Sequence, residues 1–191
     1  LANEGTVAEI TTLVKNVRGF TGFSWVTLRG IGALNQAHDP CVTTIRGHNG
    51  VVRCLSWSPD GNRIVSGCED SLLRVWDVDS GHLLHVMGGH NDIIYCVDWS
   101  CDGAMIVSGG ADKVVRLWGA STGMLLRHLE GHWSMVQGVV FNPNCDGLAS
   151  GSADGTIRVW AVTTGDSYVL ESHGDSITCL AWSPDGRWLA S

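Results

Sequence analysis

Residues 47–77 read GHNGVVRCLSWSPDGNRIVSGCEDSLLRVWD, and this stretch decides the fold. Its apolar runs are short, and clusters of turn residues such as Ser58-Pro59-Asp60-Gly61 close them. Runs of about 4–8 residues between turn signals are typical of β-strands, whereas a helix needs about 10–12 periodic residues. The stretch therefore predicts three short strands, over residues 52–57, 64–67 and 72–76, and residues 83–87 add a fourth after another turn.

The same residue types return at fixed offsets along the chain. Gly47-His48 recurs 42 residues on as Gly89-His90 and again as Gly131-His132, and Ser172-His173 follows 41 residues later. Each of the first three repeats then carries a serine, an aspartate and a tryptophan at constant spacing: His48, Ser66, Asp70, Trp76; His90, Ser108, Asp112, Trp118; His132, Ser150, Asp154, Trp160. A four-stranded sheet of about 42 residues cannot bury both faces alone, and radial stacking of such sheets solves that problem.

These motifs resemble the WD40 repeat. Gly-His, Ser-Pro-Asp-Gly, Ser-Gly-x-x-Asp and Arg-Val-Trp-Asp stand at the spacings of that family over about residues 41–191. Only the first repeat keeps the Trp-Asp dipeptide, because Trp118 precedes Gly119 and Trp160 precedes Ala161. The resemblance implies an all-β fold, a partial WD40-type β-propeller with about four blades of a ring of seven or more. The repeats are expected at about 41–82, 83–124 and 125–165, with a truncated fourth at 166–191.

The repeated polar residues invite a catalytic interpretation, since Ser, His and Asp are the members of a hydrolytic triad. An enzyme, however, needs one preorganised site, and this set occurs once in each of three repeats. The resemblance implies instead a structural hydrogen-bond chain from Trp to Ser to His to Asp. His128 and His132 flank Glu130 at the spacing of a zinc motif, but that motif requires a helix. The sequence therefore predicts no catalytic residue, no metal ligand and no cofactor, and hence no enzyme.

Partner binding must then depend on residues that differ between repeats. In the WD40 family the usual binding surface carries the turns before the first strand and between the second and third strands. The candidates on this surface are Arg53, Tyr95, Gln137 and Thr178 at the mouth of the central channel, with Glu69, Trp133 and Met135 beside them. Arg, Tyr, Met and Trp are typical of protein-binding hot spots. The alternative, that these side chains simply fill a solvated surface, stays open.

Charge and cysteine usage limit the partners and the compartment. With 12 basic and 19 acidic side chains, the net charge of −7 disfavours a nucleic-acid partner. No apolar run approaches the roughly 18 residues of a membrane span. The seven cysteines are odd in number and form no CxxC motif, so neither a disulfide framework nor a zinc site is indicated. A reducing compartment, cytoplasmic or nuclear, fits this pattern.

The resemblance predicts a non-catalytic scaffold that binds protein or peptide partners through blade loops and the channel mouth. The alternative is a sensor or targeting region of a larger multidomain enzyme or nucleotide-dependent switch protein. Substrate receptors of cullin-RING ubiquitin ligases often carry Trp-Asp-x-Arg at the end of a repeat, and the Arg is missing here each time. That subclass is therefore disfavoured.

Residues 1–40 form an N-terminal segment without the repeat motifs. Apolar residues at Val7, Ile10, Leu13, Val14 and Val17 follow helical spacing and predict a short helix over about 7–18. The competing interpretation is a degenerate preceding blade, whose outermost strand would be residues 41–46 because they lead directly into the first repeat. The chain holds about 4.5 repeats, whereas a closed ring of this kind has about seven. We therefore expect a piece of a larger propeller, part of a larger chain or complex, which associates or aggregates alone through unpaired strand edges.

Overall fold

A computed structural model describes residues 24–29, 41–170 and 174–191 of the chain. Every regular element in these ranges is a β-strand, so the prediction of an all-β fold is confirmed. Among the described residues no helix is long and apolar enough to cross a membrane. The elements follow one another as short strands joined by turns, as the repeated motifs predicted.

Three four-stranded antiparallel sheets, here called the first, second and third blades, form the centre of the described structure. The first blade consists of β3 (Val52–Trp57), β4 (Arg63–Cys68), β5 (Leu72–Asp77) and β6 (Leu83–Gly88). The second consists of β7 (Ile94–Trp99), β8 (Met105–Gly110), β9 (Val115–Gly119) and β10 (Leu125–Leu129). The third consists of β11 (Val136–Phe141), β12 (Gly147–Ser152), β13 (Ile157–Ala161) and β14 (Ser167–Leu170). Two-stranded sheets precede and follow them: β1 (Ser24–Arg29) with β2 (Cys41–His48), and β15 (Ala181–Trp182) with β16 (Leu189–Ala190).

Each blade is a simple meander in which successive strands pair. The blades stack in chain order, because β7 packs against β3 and β4, and β11 packs against β7 and β8. The strands β3, β7 and β11 are therefore the innermost, and β6, β10 and β14 lie at the outer edges. This stacking is the arrangement that the resemblance implied.

The hydrophobic core lies between the blades rather than within any one of them. Val65, Leu73 and Val75 of the first blade form one cluster with Ile94 and Ile106 of the second, and all five side chains are fully buried. Full burial of a branched apolar side chain is worth about 1.5–3 kcal/mol. A single blade could not bury these residues, so each sheet depends on its neighbour for stability.

Glycines at the end of the second strand let the blades approach closely. A Cβ atom added to Gly67 would lie 2.7 Å from Cγ2 of Ile94, and one added to Gly109 would lie 2.9 Å from Cβ of Val136. Gly151 occupies the same place in the third blade, against Ile177. The repeated Ser-Gly motif thus combines a hydrogen-bonding serine with a residue that has no room for a side chain.

The N-terminal region enters the described structure at β1, which pairs antiparallel with β2. This small sheet precedes the first blade in the chain. The helix predicted over residues 7–18 lies outside the described residues. For the other residues of the segment 1–40, the choice between a helix and a degenerate blade therefore stays a prediction.

The cysteine count gave no indication of a disulfide, and here the structure differs. Cys101 and Cys145 are joined by a disulfide bond between the turn after β7 and the turn after β11. An odd count and a missing CxxC carry no information about a pair that meets only when two blades stack. Cys54, by contrast, is free, and burial raises the pKa of its thiol to about 12, so it behaves as a small apolar side chain.

The close approach of the blades predicts the effect of one added methyl group. Gly109→Ala should lower the free energy of unfolding by about 1–3 kcal/mol, because the methyl group would overlap Val136 in a packed interior. Gly88→Ala is the control, since the added group at the end of β6 meets only the flexible end of Leu72. Urea titrations followed by tryptophan fluorescence would measure both, and equal effects would contradict the packing argument.

Candidate functional site

A chain of hydrogen bonds runs through the second blade from the core to the loop before β7. The Nε1–H group of Trp118 donates to Oγ of Ser108 at 2.9 Å, and that oxygen lies 2.8 Å from Nε2 of His90. Nδ1 of His90 in turn lies 3.0 Å from a carboxylate oxygen of Asp112. Because Trp118 and Ser108 lie on strands and the other two in loops, the chain ties the loops to the sheet.

The third blade repeats this geometry. Trp160 donates to Ser150 at 2.7 Å, Ser150 lies 2.7 Å from Nε2 of His132, and Nδ1 of His132 lies 3.0 Å from Asp154. The carboxylate of Asp154 also accepts the backbone N–H of Trp133 at 2.8 Å. The set therefore fixes the loop backbone that carries this tryptophan.

The carboxylate at the end of this chain is ionised at neutral pH. Burial by itself raises the pKa of Asp154, but hydrogen bonds from Thr156, from the Trp133 N–H group and from His132 outweigh burial and hold the pKa well below its usual range. An ionised carboxylate is the stronger acceptor for the loop N–H group.

In the second and third blades the histidine contacts its aspartate directly, and in the second blade the Arg116 guanidinium also contacts both His90 and Asp112. In the first blade an arginine stands between the histidine and the aspartate. Nη1 of Arg74 lies 3.1 Å from Nδ1 of His48 and 3.1 Å from Oδ1 of Asp70. A guanidinium only donates, so Nδ1 accepts and Nε2 carries the proton, which points to Ser66 at 2.9 Å. The Ser66 hydroxyl then donates to the carbonyl of Arg74 at 3.3 Å, while Trp76 donates to Ser66 at 2.8 Å. All donors in this network thus have acceptors, with the histidine in the opposite tautomer to that of the third blade.

The environment keeps the three histidines neutral. Burial, and after it the Arg74 guanidinium, lower the pKa of His48 to about 4. Burial also lowers the pKa values of His90 and His132, although their aspartates oppose the effect. Neutral imidazoles are what a chain of alternating donors and acceptors requires.

Access to the serines argues against hydrolysis at these sets. Ser66, Ser108 and Ser150 are fully buried, and each already accepts the N–H group of a tryptophan. A serine nucleophile must reach a substrate carbonyl beside an oxyanion site. The three sets therefore have the residues of a triad in a geometry that suits structural support.

One group of donor atoms among the described residues could hold a metal ion. His48, Cys68 and Asp70 each place one ligand atom within 4.8 Å of the others. The guanidinium of Arg74 contacts both His48 and Asp70, so positive charge is already supplied at this point. The group therefore gives no support to a metal site, in keeping with its place in the hydrogen-bond network.

The candidate binding residues on the three innermost strands share one backbone feature. Arg53, Tyr95 and Gln137 occupy the same place on β3, β7 and β11, and in each strand the pairing with the second strand shifts register at this residue. Such a bulge leaves one residue out of the ladder and re-aims its side chain. The structure therefore brings these three candidates into one row with one kind of backbone irregularity.

Neighbouring side chains hold two of these residues. The guanidinium of Arg53 forms an ion pair with Glu69, and its Nε lies 2.9 Å from Oε1. Oε1 of Gln137 accepts a hydrogen bond from Ser176 at 2.7 Å, and Nε2 of Gln137 lies 3.7 Å from the sulfur of Met135. Arg53 is exposed and Gln137 is half-buried, so the row is partly ordered before any partner arrives.

Trp133 and Thr178 lie outside that row. The Trp133 side chain is 80% exposed, although its backbone is held by the third blade. Asn49 and Asn91 occupy the equivalent loop positions, and their N–H groups likewise donate to Asp70 and Asp112. Thr178 is exposed in the irregular stretch before β15. We call the set Arg53, Glu69, Tyr95, Trp133, Met135, Gln137 and Thr178 the bulge face.

Asp98 is a residue that sequence reasoning missed. Its carboxylate on β7 accepts the backbone N–H of Phe141 on β11 at 2.9 Å and lies 3.4 Å from the hydroxyl of Ser56 on β3. Burial raises the pKa of Asp98. A charged residue inside the apolar run of β7, where the neighbouring blades have Ser56 and Val140, was the available signal. This carboxylate links the three innermost strands beneath the bulge face.

Comparisons with known proteins agree on the type of repeat. The family model described as WD domain, G-beta repeat matches residues 39–77, 81–119, 123–161 and 166–191. The human apoptotic protease-activating factor 1 is 43% identical over 42 residues, which are 22% of this chain and 3% of that protein. The guanine nucleotide-binding protein subunit beta of Arabidopsis thaliana is 40% identical over 47 residues, 25% of this chain and 12% of that protein. The chain thus spans a small part of the length of these relatives.

Two solved structures extend the likeness beyond a single repeat. The structures of U3-55K and of the RRP9 WD40 repeats each give a TM-score of 0.69, with 31% and 32% sequence identity. Both alignments cover 71% of this chain, and they cover 44% and 43% of the two solved chains.

The hydrogen-bond chain predicts a stability role for its aspartate. Asp112→Ala should lower the free energy of unfolding by about 3–5 kcal/mol, because Arg116 stays buried and loses its carboxylate partner. Asp79→Ala is the control, since it removes the same group from an exposed turn. Differential scanning calorimetry would measure both, and an unchanged melting temperature for Asp112→Ala would contradict the structural interpretation.

The lowered pKa of His48 predicts a loss of stability in mild acid. In the unfolded chain this histidine binds a proton below about pH 6.5, whereas in the folded chain it does so only near pH 4. Its contribution is therefore complete above pH 6.5 and is lost as the pH falls toward 4, by about 3 kcal/mol. In His48→Gln that part of the pH dependence should vanish, whereas His82→Gln at an exposed position should keep it. Urea unfolding between pH 7 and 4 would measure the free energy of unfolding of each protein. If this free energy fell equally with pH in wild type and in His48→Gln, the assignment would be contradicted.

Proposed function

The chain belongs to the WD40 repeat family, and from that premise we propose that it is a non-catalytic scaffold that binds a protein or peptide partner at the bulge face. The observation that carries the proposal is the row of three bulges at Arg53, Tyr95 and Gln137. The backbone repeats in this row while the side chains differ. A surface of that kind offers different chemistry at each position on a frame of constant geometry.

The chemistry of the bulge face suits a polypeptide. Arg53 supplies an exposed guanidinium, Tyr95 a half-buried phenol and Trp133 an indole that is largely in solvent. Trp, Tyr and Arg are the residue types enriched among interface residues that dominate binding energy. A net charge of −7 works against a phosphate backbone at long range, so a protein partner is the better match.

Order in the face supports the same proposal. The Arg53–Glu69 ion pair and the Ser176–Gln137 hydrogen bond restrict two of the side chains before binding. Restriction in the free state reduces the entropy lost when a partner docks. A partner that approaches Arg53 must accommodate the carboxylate of Glu69, which favours a peptide with both a donor and an acceptor group at that point.

A second role concerns the larger protein to which such repeats can belong. The matched segments are 3% of apoptotic protease-activating factor 1 and 12% of the plant subunit beta, so similar repeats occur inside longer chains. On this proposal the repeats act as the sensor or targeting region of a multidomain enzyme or nucleotide-dependent switch protein. Sequencing the full-length transcript for an adjoining catalytic or nucleotide-binding domain distinguishes the two roles.

Location in the cytoplasm or the nucleus is part of the proposal. It rests on the free cysteines Cys54, Cys68, Cys96 and Cys179, which suit a reducing compartment. A fluorescent fusion of the chain, observed in living cells, tests it directly.

Variants of the bulge face test the binding proposal. Affinity purification with quantitative mass spectrometry should identify partners that the wild-type chain retains. These partners should be lost in the double variant Arg53→Glu, Tyr95→Ala and in the single variant Trp133→Ala. Binding to a purified partner should weaken by tenfold or more, since truncating a hot-spot residue costs about 2 kcal/mol or more. Isothermal titration calorimetry would measure that change.

The control removes an exposed apolar side chain from another surface. Leu126→Ser alters the outer strand β10, where Leu126 is 52% exposed, and should leave binding unchanged. All variants must keep the wild-type melting temperature. A partner bound equally well by every variant would remove the bulge face from consideration.

A further inference from the structure

We propose that Cys101 and Cys145 are a redox-controlled staple between the second and third blades, which closes by exchange with a low-molecular-weight disulfide such as oxidised glutathione. These two residues replace a contact that recurs between successive turns. The turn between the first and second strands of each repeat lies against the same turn of the next repeat. A Cβ atom on Gly103 would lie 3.5 Å from Cγ of Pro59, and one on Gly186 would lie 3.5 Å from Cδ of Pro143.

Two of the three contacts between successive turns are thus a proline against a glycine. At the contact between the second and third blades both residues differ together. Cys101 takes the place of the proline, because it follows Ser100 as Pro59 follows Ser58. Cys145 takes the place of the glycine that the other turns have. The Cα atoms of Cys101 and Cys145 are 6.1 Å apart, within the range that a disulfide spans. At this place a sulfur–sulfur contact replaces the proline–glycine contact of the other two pairs of turns.

The backbone of Cys145 shows that packing alone does not account for this exchange. Its φ is +60°, and the equivalent Gly61, Gly103 and Gly186 have φ values of +73°, +73° and +70°. A residue with a Cβ atom is disfavoured in this left-handed conformation, and glycine is the residue that suits it. The chain nevertheless carries a cysteine at the point where its side chain meets that of Cys101.

The two cysteines differ in access, which gives the reaction an order. Cys101 is exposed and Cys145 is buried, so an external disulfide meets Cys101 first. In the disulfide-bonded structure each sulfur also has a polar neighbour: the Cys101 sulfur lies 3.2 Å from the carbonyl oxygen of Pro143, and the Cys145 sulfur lies 2.9 Å from the backbone nitrogen of Cys101. That N–H group stabilises negative charge on the resolving sulfur.

The exchange balances without any further reactant. The Cys101 thiolate attacks one sulfur of oxidised glutathione, breaks its S–S bond and releases one glutathione thiolate, which takes up the proton that Cys101 lost. The Cys145 thiolate then attacks the Cys101 sulfur of the mixed disulfide and releases the second glutathione, which takes up the proton from Cys145. Two protein thiols are oxidised, and one molecule of oxidised glutathione is reduced to two of glutathione.

The closed staple changes how the blades are held together. The bond joins residues 44 positions apart and encloses β8, β9, β10 and β11 in one covalent loop. Without it, the second and third blades are held by packing and hydrogen bonds alone. Oxidation therefore strengthens one particular blade contact, at the end of β11 opposite to the end that carries Gln137.

The test equilibrates the wild-type chain with mixtures of oxidised and reduced glutathione, blocks free thiols by alkylation and maps the peptides by mass spectrometry. We expect a linked Cys101–Cys145 peptide within one chain, and a melting temperature about 5–10 °C higher for the oxidised than for the reduced protein. Cys145→Ser should instead accumulate a stable glutathione adduct on Cys101, because the resolving thiol is missing. Cys179→Ser, at another exposed cysteine, should behave as wild type.

The double variant Cys101→Pro, Cys145→Gly restores the contact of the other turns and is the decisive control. It should fold, and its melting temperature should not respond to glutathione. Failure to find the linked peptide in oxidised wild type would overturn the proposal. So would a linkage between separate chains, equal melting temperatures in the two redox states, or a redox response that persists in the double variant.

Discussion

A tryptophan N–H group that is buried between β-sheets requires a hydrogen-bond acceptor. In each described blade, the loops that hold the histidine and the aspartate depend on how that acceptor is supplied. The serine of the second strand accepts, and the histidine of the preceding loop binds the serine. The aspartate then ends the chain and also accepts a backbone N–H from the loop beside the histidine, at Asn49, Asn91 or Trp133. Satisfying one donor in the core thereby fixes a loop at the surface.

The network tolerates change at its outer end while its inner end stays constant. The tryptophan-to-serine bond is 2.7–2.9 Å long in all three blades. At the other end Arg74 separates His48 from Asp70, whereas Thr156 supports Asp154 in the third blade. Because several partners can complete the chain, this part of the fold leaves the loop side chains free to vary. Selectivity for a partner can therefore come from residues that the network positions but does not contain.

Much of this arrangement could be read from the sequence, for reasons that particular residues make clear. The strand predicted at residues 52–57 is β3, and the strand predicted at 64–67 is β4 with one further residue at each end, because turn residues mark where pairing stops. The members of each hydrogen-bond chain were identifiable because they recur at one spacing. Features that arise between strands could not be identified from the sequence. The register shift at Tyr95 depends on two strands at once, so it has no local sequence pattern.

The remaining omissions share a cause, which is that they belong to contacts between blades. Asp98 joins three strands from three blades, and Cys101 meets Cys145 across the contact of two turns. A period reveals what every blade has in common, whereas these residues matter because one blade differs from its neighbours. The positions that break a repeat are therefore the ones to examine for function in a repeat protein.

Trp133 shows how the constant and the variable parts combine. An exposed indole on a flexible loop would lose conformational freedom on binding, and that loss would weaken the complex. Here the carboxylate of Asp154 holds the Trp133 N–H, and the same carboxylate is held by His132 and Thr156. The backbone at Trp133 is thus set by hydrogen bonds that reach back to a buried tryptophan in the core. A hydrogen bond that a buried donor requires inside the blade thus also helps to fix the backbone of Trp133, a residue that we propose for partner recognition.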